Sequence, residues 1–376
     1  MTIESSSNTS LIVHIVFRFD YGGLENGVVN IINGLSDAPF RHVVIALTEA
    51  TDFADRLQGE VAVYSIGKRP GKDFGAYIRL YRLLRQLRPD IVHTRNIGTL
   101  DCAFVAFLAG VPIRIHGEHG WDVFDPDGTN KKYRYMRRVL HRFVQRIVTV
   151  SQDLERWLID VVGLPQKKIR HICNGVNTER FQPAQESEQA TEGRDVVIGS
   201  VTRFSAIKNP LNLVEAFISL RQSDNSARLI MIGDGELHQK ARQRLSDAGL
   251  EGASWLPGSR EDIPQQLRSM DIFVLGSLRE GISNTVLEAM ASGLPVIASD
   301  TGGNRELVYD NVNGVLVTPG DSYLLSKAIL AYVQDPDLRL RHGLASRDRV
   351  MSGFSIERMI NEYRSLYEDT LGMRRA

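Results

Sequence analysis

The residues best equipped for chemistry lie in one segment, Asp271–Leu307, DIFVLGSLREGISNTVLEAMASGLPVIASDTGGNREL, where two carboxylates, Glu280 and Glu288, stand eight positions apart. The apolar run Ile272–Leu275 has the length of a buried strand, and Gly276–Ile282 reads as the loop that follows it. Ser283 is a good N-cap for a helix over Asn284–Ser292, which Gly293 stops. Pro295 leads into a second buried strand, Val296–Ala298, and Thr301-Gly302-Gly303 forms the next loop. Such a strand–helix–strand unit puts Glu280 in the loop above the strand and Glu288 just over one turn into the helix. The amides of Asn284, Thr285 and Val286 are predicted to be free at the positive end of the helix dipole, a seat for an anion. Phosphate on the amides, ribose hydroxyls on Glu288 and sugar hydroxyls near Glu280 would together hold a sugar nucleotide.

The string Glu280-x7-Glu288, followed by Ala-Met-Ala-x-Gly-x-Pro-Val and then by Gly302-Gly303 and Glu306, resembles the signature of the retaining family 4 glycosyltransferases. Those enzymes have the GT-B fold: α/β, two Rossmann-like parallel-sheet domains facing a cleft. The competing reading is an ordinary βαβ unit with surface acids. Against it, Glu280 sits in a strand-end loop, where α/β proteins place ligands. Carried over position by position, the resemblance implies donor contacts at Gly281, Ile282, Ser283, Asn284, Thr285 and Glu288, with Glu280 at the sugar. The commoner Phe-Gly-aliphatic of the family is Ile282-Ser283-Asn284 here, so the donor sugar is not carried over.

The elements that must position these groups form an alternating pattern. In the first half, strands are predicted at Leu11–Phe17, Val43–Leu47, Val61–Ser65, Ile91–His93, Ile113–Glu118, Ile147–Val150 and Lys168–Ile172. Helices are predicted between them, among them 24–35, Phe74–Leu87, Thr99–Ala109 and Gln152–Val162, which means a parallel sheet covered on both faces. Gly22-Gly23 at the first strand–helix turn removes two side chains and lets a ligand approach the backbone. By resemblance, Gly23 lies against the donor diphosphate. His119, just after the fifth strand, is by itself more often a structural hydrogen-bonder; by resemblance it contacts the donor sugar near the anomeric carbon. Asn174-Gly175-Val176-Asn177 matches a family turn with Asn in place of Asp, and Gln182–Asp195 is a polar linker.

In the second half Val196–Val201 restarts the strand pattern, with Arg203 and Lys208 beyond its end and a helix over Leu211–Ser219. Two cations past a strand suit a diphosphate, which Arg binds bidentately. Their match to the family's Arg and Lys makes them donor-phosphate ligands by resemblance, although Thr202 and Asn209 replace its usual glycines. Gly233-Asp234-Gly235 begins like a dinucleotide fingerprint but lacks the third glycine, where His238 stands, and reads as a turn. The tail, Ile356–Leu371, is an amphipathic helix; in GT-B proteins the final helix crosses back to brace the N-terminal domain.

Composition sets the outer bounds. At 376 residues two domains are expected, at 1–181 and 196–352, with the linker at 182–195 and the returning helix within 353–376. Charges balance, 45 basic against 45 acidic, so nothing points to nucleic acid. Cys102 and Cys173 match no metal or redox spacing and read as buried, reduced thiols. The N-terminus lacks a signal-peptide pattern and no run is long enough to span a membrane, which gives a cytoplasmic expectation, with peripheral contact at the inner face of the plasma membrane left open. Asp125-Pro126-Asp127 and Asp335-Pro336-Asp337 read as turns and not as metal ligands, and no metal or other cofactor is expected. Lys131–Arg146 is predicted as a helix with Met136, Val139, Leu140, Phe143, Val144 and Ile147 inward. Its stripe of Lys131, Arg134, Arg138 and Arg142 is either a solvated face or a patch for an anionic membrane or lipid-linked phosphate acceptor.

The expected activity is therefore transfer of a sugar, with retention, from a UDP- or GDP-sugar to a glycan or lipid-linked acceptor. The stretch SNTVLEAMASGLPVIASDTGGN resembles bacterial exopolysaccharide and cell-envelope sugar transferases, including those associated with exosortase systems. The alternatives are a GT-B sugar-nucleotide epimerase and a non-catalytic nucleotide-sugar sensor. Intact Arg203, Lys208, Glu280 and Glu288 weigh against the sensor.

Overall fold

The computed structural model describes residues 9–121, 125, 127–184 and 194–375. They form two compact units, Met1–Asn174 with Glu357–Ala376 and Gly175–Ile356. The predicted linker lies largely outside the described residues.

The first unit holds a parallel sheet of seven strands: β1 (Ser10–Val16), β2 (Phe40–Ala46), β3 (Ala62–Ser65), β4 (Ile91–Arg95), β5 (Ile113–Glu118), β6 (Arg146–Thr149) and β7 (Ile169–His171). Their order is β3-β2-β1-β4-β5-β6-β7. Helices α1 (Gly23–Gly34), α2 (Phe74–Leu87), α3 (Ile97–Leu100), α4 (Cys102–Leu108), α5 (Lys131–Leu140) and α6 (Gln152–Trp157) connect them. Central strands covered on both faces need apolar side chains on both, and in β1 Ile12, Val13, Ile15 and Val16 are all buried. Val13, Ile15 and Val92 pack against Leu80 and Leu84 of α2 and Val105 and Ala106 of α4. On the opposite face Val16 and Val44 pack against Val28, Val29 and Ile32 of α1.

Two predicted helices are shorter than their periodicity implied. Thr99–Ala109 is divided at Asp101, whose carboxylate takes the Tyr77 hydroxyl. Lys131–Arg146 stops at Leu140, and His141–Phe143 continues as a tighter turn. In its outer stripe Lys131 and Arg142 are exposed, while other cations of the helix are tied down. Arg137 turns inward, giving Nε and Nη2 to the buried Glu118 carboxylate at 2.6 and 3.1 Å. Burial would raise the Glu118 carboxyl, but the Arg137 guanidinium overrides it and holds the group well below the usual range. Arg134 and Arg138 donate to the carbonyls of Gly128 and Val162 at 2.6 and 2.8 Å. Of the six predicted inward residues only Val144 and Ile147 are fully buried. Cys102 is buried and Cys173 half-buried, and the two are not joined in a disulfide.

The second unit repeats the plan with six parallel strands: β8 (Val196–Val201), β9 (Ala227–Ile232), β10 (Ser254–Gly258), β11 (Ile272–Leu275), β12 (Val296–Ser299) and β13 (Gly314–Val317), ordered β10-β9-β8-β11-β12-β13. Its helices are α7 (Pro210–Arg221), α8 (His238–Asp247), α9 (Ile263–Arg268), α10 (Asn284–Ala291), α11 (Asn304–Leu307), α12 (Ser322–Gln334) and α13 (Pro336–Gly353). The core under β8, β9 and β11 is built from Ile198, Leu229, Met231, Ile272 and Val274 against Leu213, Phe217, Leu325 and Ile329. In both sheets the order reverses beside the first strand, between β1 and β4 and between β8 and β11. Loops leaving the two strands there diverge and leave a crevice.

The last helix, α14 (Ile356–Arg375), belongs to the first unit. It covers three histidines carried side by side on the α1 face of the sheet. His14 Nε2 pairs with His42 Nδ1 at 3.0 Å, and His93 Nδ1 with the buried Tyr367 hydroxyl at 3.0 Å. Burial holds His14 and His93 well below 6.5, so both rings are neutral. Arg364–Asp37 and Arg170–Asp369 ion pairs, at 2.8 and 3.0 Å, anchor the exposed side of the helix. Among the described residues no helix is long and apolar enough to cross a membrane.

Tyr367→Phe tests this attachment. It strands the buried His93 Nδ1, so a loss of about 1–3 kcal/mol is expected in denaturant unfolding. An unchanged midpoint would mean that the hydroxyl carries none of the helix docking.

Candidate functional site

The loops after β8 and β11 flank the switch point of the second sheet, and the predicted phosphate and sugar residues meet there. Lys208 Nζ donates to both carboxylate oxygens of Glu280, at 2.6 and 2.8 Å. Ser277 Oγ donates to Glu280 Oε1 at 2.7 Å, and the Leu278 amide to the Ile207 carbonyl at 2.8 Å. Glu280 and Ser277 are buried, while Lys208 keeps a partly open ammonium. Arg203, two residues beyond β8, is exposed, with its guanidinium unpaired among the described residues.

These loops owe their shape to small residues and one unusual backbone. Asn209, which stands where the resembled family has glycine, has φ +48°, a left-handed conformation that asparagine tolerates better than most residues. A Cβ on Gly302 or Gly303 would collide with the carbonyl oxygens of Glu280 or Gly281, and the Gly303 amide donates to Gly281 O at 3.0 Å. The Gly233-x-Gly235 turn does the same for the other loop: side chains there would strike the Thr202 and Phe204 carbonyls, and Phe204 N bonds Asp234 O at 2.9 Å. The apparent dinucleotide fingerprint is thus a support for Arg203.

Ser283 caps α10, its Oγ accepting the Val286 amide at 3.3 Å and lying 3.2 Å from Thr285 Oγ1. This narrows the predicted anion seat, because the Val286 N–H is taken by the cap. Glu288, on the second turn, is half-buried, and its carboxyl has no hydrogen-bond or ion-pair partner among the described residues. Burial pushes it up to about 7, against the opposing pull of Arg180. Arg180 also lines an open depression of about 410 Å³ with Glu261, Asp262, Pro264, Gln265 and Arg268.

In the first unit, Gly23 is exposed at the N-terminus of α1, with the carboxylate of Glu25 folded back over Gly22. His119 follows β5, its amide held by Asn96 Oδ1 at 2.7 Å, while the Asn96 amide bonds Gly117 O at 2.7 Å. The imidazole lies back over Gly117, where a side chain would meet its Nε2. Burial and then the Arg95 cation push His119 down to about 3, so the ring is neutral. Arg95 is the residue paired with Gly117 in the sheet. Sequence reasoning missed Arg95, Asn96, Ser277 and Arg180; the first two stand at the end of a strand flanking a switch point, a signal that could have found them.

Asp125 and Asp335 serve as turn and cap acceptors, for the amides of Asn130 at 2.9 Å and Leu338 at 2.8 Å. Pro126 lies outside the described residues. Among the described residues no group of three or more His, Cys, Asp or Glu is placed to hold a metal.

Two outcomes follow from this geometry. Gly303→Ala pushes the Gly281 carbonyl and with it Glu280, so turnover should fall by an order of magnitude or more for a loss of about 1–3 kcal/mol in stability. Turnover equal to wild type would show that the glycine does not hold the loop. For Glu288, the folded state favours the protonated acid: its stabilisation is complete below 4.5 and is lost as pH rises toward 7. Thermal midpoints across that range should therefore decline less in Glu288→Gln than in wild type. Equal slopes would place the carboxyl in an ordinary solvated setting.

Comparison with known proteins agrees with the architecture. The Glycosyltransferase Family 4 model matches residues 21–180, and the Glycosyl transferases group 1 model matches 181–349. The Escherichia coli UDP-Gal:alpha-D-GlcNAc-diphosphoundecaprenol alpha-1,3-galactosyltransferase is 31% identical over 313 residues, 79% of this chain and 80% of that protein. A GDP-mannose-dependent alpha-mannosyltransferase of Mycobacterium tuberculosis (strain CDC 1551 / Oshkosh) is 27% identical, with 94% of each chain covered. Among solved structures, Anabaena HepE in complex with UDP and glucose superposes with a TM-score of 0.83 at 21% identity, over 96% of this chain and 99% of that one. The chain belongs to the family 4 glycosyltransferases of the GT-B fold.

Proposed function

We propose that the protein transfers a sugar, with retention of anomeric configuration, from a UDP- or GDP-sugar to a glycan or lipid-linked acceptor in polysaccharide or cell-envelope synthesis. The observation that carries this reading is the Lys208–Glu280 pair at the switch point, next to the unpartnered Glu288. Without a ligand the ammonium and carboxylate neutralise each other. A donor diphosphate offers Lys208 and Arg203 a stronger anion and frees Glu280 for sugar hydroxyls. Ribose hydroxyls supply the hydrogen bonds that Glu288 lacks, and the capped α10 N-terminus faces phosphate.

As the anomeric carbon–oxygen bond breaks, negative charge grows on the departing diphosphate. Lys208 and Arg203 stabilise that charge where it develops, supplying with fixed cations what a divalent ion supplies elsewhere. The acceptor hydroxyl attacks from the same face, and its proton passes to the leaving phosphate oxygen. His119, kept neutral, can bond a sugar hydroxyl without adding positive charge at the reacting carbon. Names of relatives support the donor class: one uses UDP-Gal with a diphosphoundecaprenol-linked acceptor, one GDP-mannose.

A thermal-shift panel of UDP, GDP and their sugars names the nucleotide, since a ligand at about 100 times its Kd adds roughly 2.7 kcal/mol. Lys208→Ala should then lower kcat/KM by about two to three powers of ten. Glu288→Gln should weaken free-nucleotide binding, whereas Glu280→Gln should spare it and depress transfer. Equal loss of nucleotide affinity in both glutamate variants would overturn the assignment.

A further inference from the structure

We propose that the outer faces of α2 and α4 form a single surface that binds an anionic lipid bilayer. Large apolar side chains stand in solvent there: Phe74 is 75% exposed, Ile78 52% and Tyr81 39% on α2, and Phe104 38%, Phe107 47% and Leu108 54% on α4. Positions 74, 78, 81, 82 and 85 share one face of a helix, so this is a patch and not scattered exposure. The two helices pack through their inner faces, Leu80 and Leu84 against Cys102, Val105 and Ala106. Arg85 Nη1 lies 3.8 Å from where a Gly110 side chain would begin, at the end of α4. Phe143 extends the patch, its ring 4.8 Å from Phe104 and 5.2 Å from Phe107, with exposed Arg142 beside it in sequence.

Charge decides the partner. Residues 68–88 contain seven cations, Lys68, Arg69, Lys72, Arg79, Arg82, Arg85 and Arg88, and one acid, Asp73, in a chain of zero net charge. That acid is used internally, by the Ala76 amide at 3.1 Å, the Arg69 amide at 3.0 Å and Arg79 Nη2 at 3.2 Å. Exposed Arg82 and Arg85 are interleaved with the apolar residues. Such a helix face lets phosphate head groups satisfy the guanidinium groups while Phe74, Ile78 and Phe107 enter the acyl boundary. The binding is electrostatic as well as apolar, so it weakens with salt. It places on α2 and α4 the contact that the cations of α5, turned to Glu118, Gly128 and Val162, are less free to make.

The test uses the full chain with neither donor nor acceptor, so it stands or fails apart from the transfer reaction. Flotation with phosphatidylcholine vesicles, with and without phosphatidylglycerol, should show binding only to the anionic ones. Arg82→Gln/Arg85→Gln should lower the partition coefficient by about thirtyfold, each cation contributing about five- to sixfold. Phe74→Ser/Ile78→Ser should lower it by at least tenfold at any salt concentration. Lys240→Gln/Arg242→Gln, an equal charge change on α8, should bind like wild type. The proposal falls if wild type ignores anionic vesicles at low salt, or if the α8 variant loses as much as the α2 variant. It also falls if the wild-type chain sediments without lipid as a dimer that Phe104→Ser/Leu108→Ser dissociates, or if it binds an acidic polypeptide in preference to vesicles.

Discussion

Parallel strands cannot be joined by tight turns, and where the order of a parallel sheet reverses, the two crossovers must leave on opposite faces. Between β8 and β11 this constraint opens the carboxyl edge of the second sheet, and Arg203, Lys208, Glu280 and Glu288 each stand on a loop or helix fed by one of those two strands. The Lys208–Glu280 pair spans the opening across 72 positions of sequence. A pair so placed is a weak source of stability, because desolvating both ions consumes most of their attraction. What the pair fixes is position, since it ties the loop after β8 to the loop after β11 at that opening.

Holding that opening in shape falls to backbone, not side chains. Gly302-Gly303 and Gly233-x-Gly235 each press one turn against the carbonyls of a neighbouring loop, the first under Glu280, the second under Arg203. Such packing leaves no room for a methyl group and little freedom to drift. The motif glycines therefore act by fixing the backbone of the neighbouring loop.

Much of this was legible in the sequence because it was local. Ile272–Leu275 is one apolar run, Ser283 one cap and Gly293 one stop, and the structure reproduces that unit with its helix ending at Ala291. What escaped was whatever depended on a partner far along the chain. The Lys208–Glu280 contact needs the strand order. Arg137 belongs neither to the predicted apolar face nor to the predicted stripe, and its inward turn shows only once Glu118, 19 positions earlier, is seen to be buried at the end of β5. Conversely, Phe74–Leu87 read simply as a helix, since nothing local says that Phe74 and Ile78 face water. The glycine expected at 209 is the instructive intermediate: the chain keeps the left-handed backbone and fills it with asparagine.

The two units differ in whether the cation beside the switch point has an acid partner. In the second, Lys208 is paired with Glu280. In the first, the buried cation Arg95, which gives Nη1 to the His93 carbonyl at 3.3 Å, has no carboxylate partner among the described residues. Desolvation, reinforced by that cation, lowers His14, His42, His93 and His119 together, and Tyr363 and Tyr367 are pushed up by burial. The imidazoles of His14, His42, His93 and His119 are therefore neutral beside Arg95 at physiological pH. His119 shares that condition: held down to about 3 by burial and by Arg95, its ring is a hydrogen-bonding group and not an acid at physiological pH.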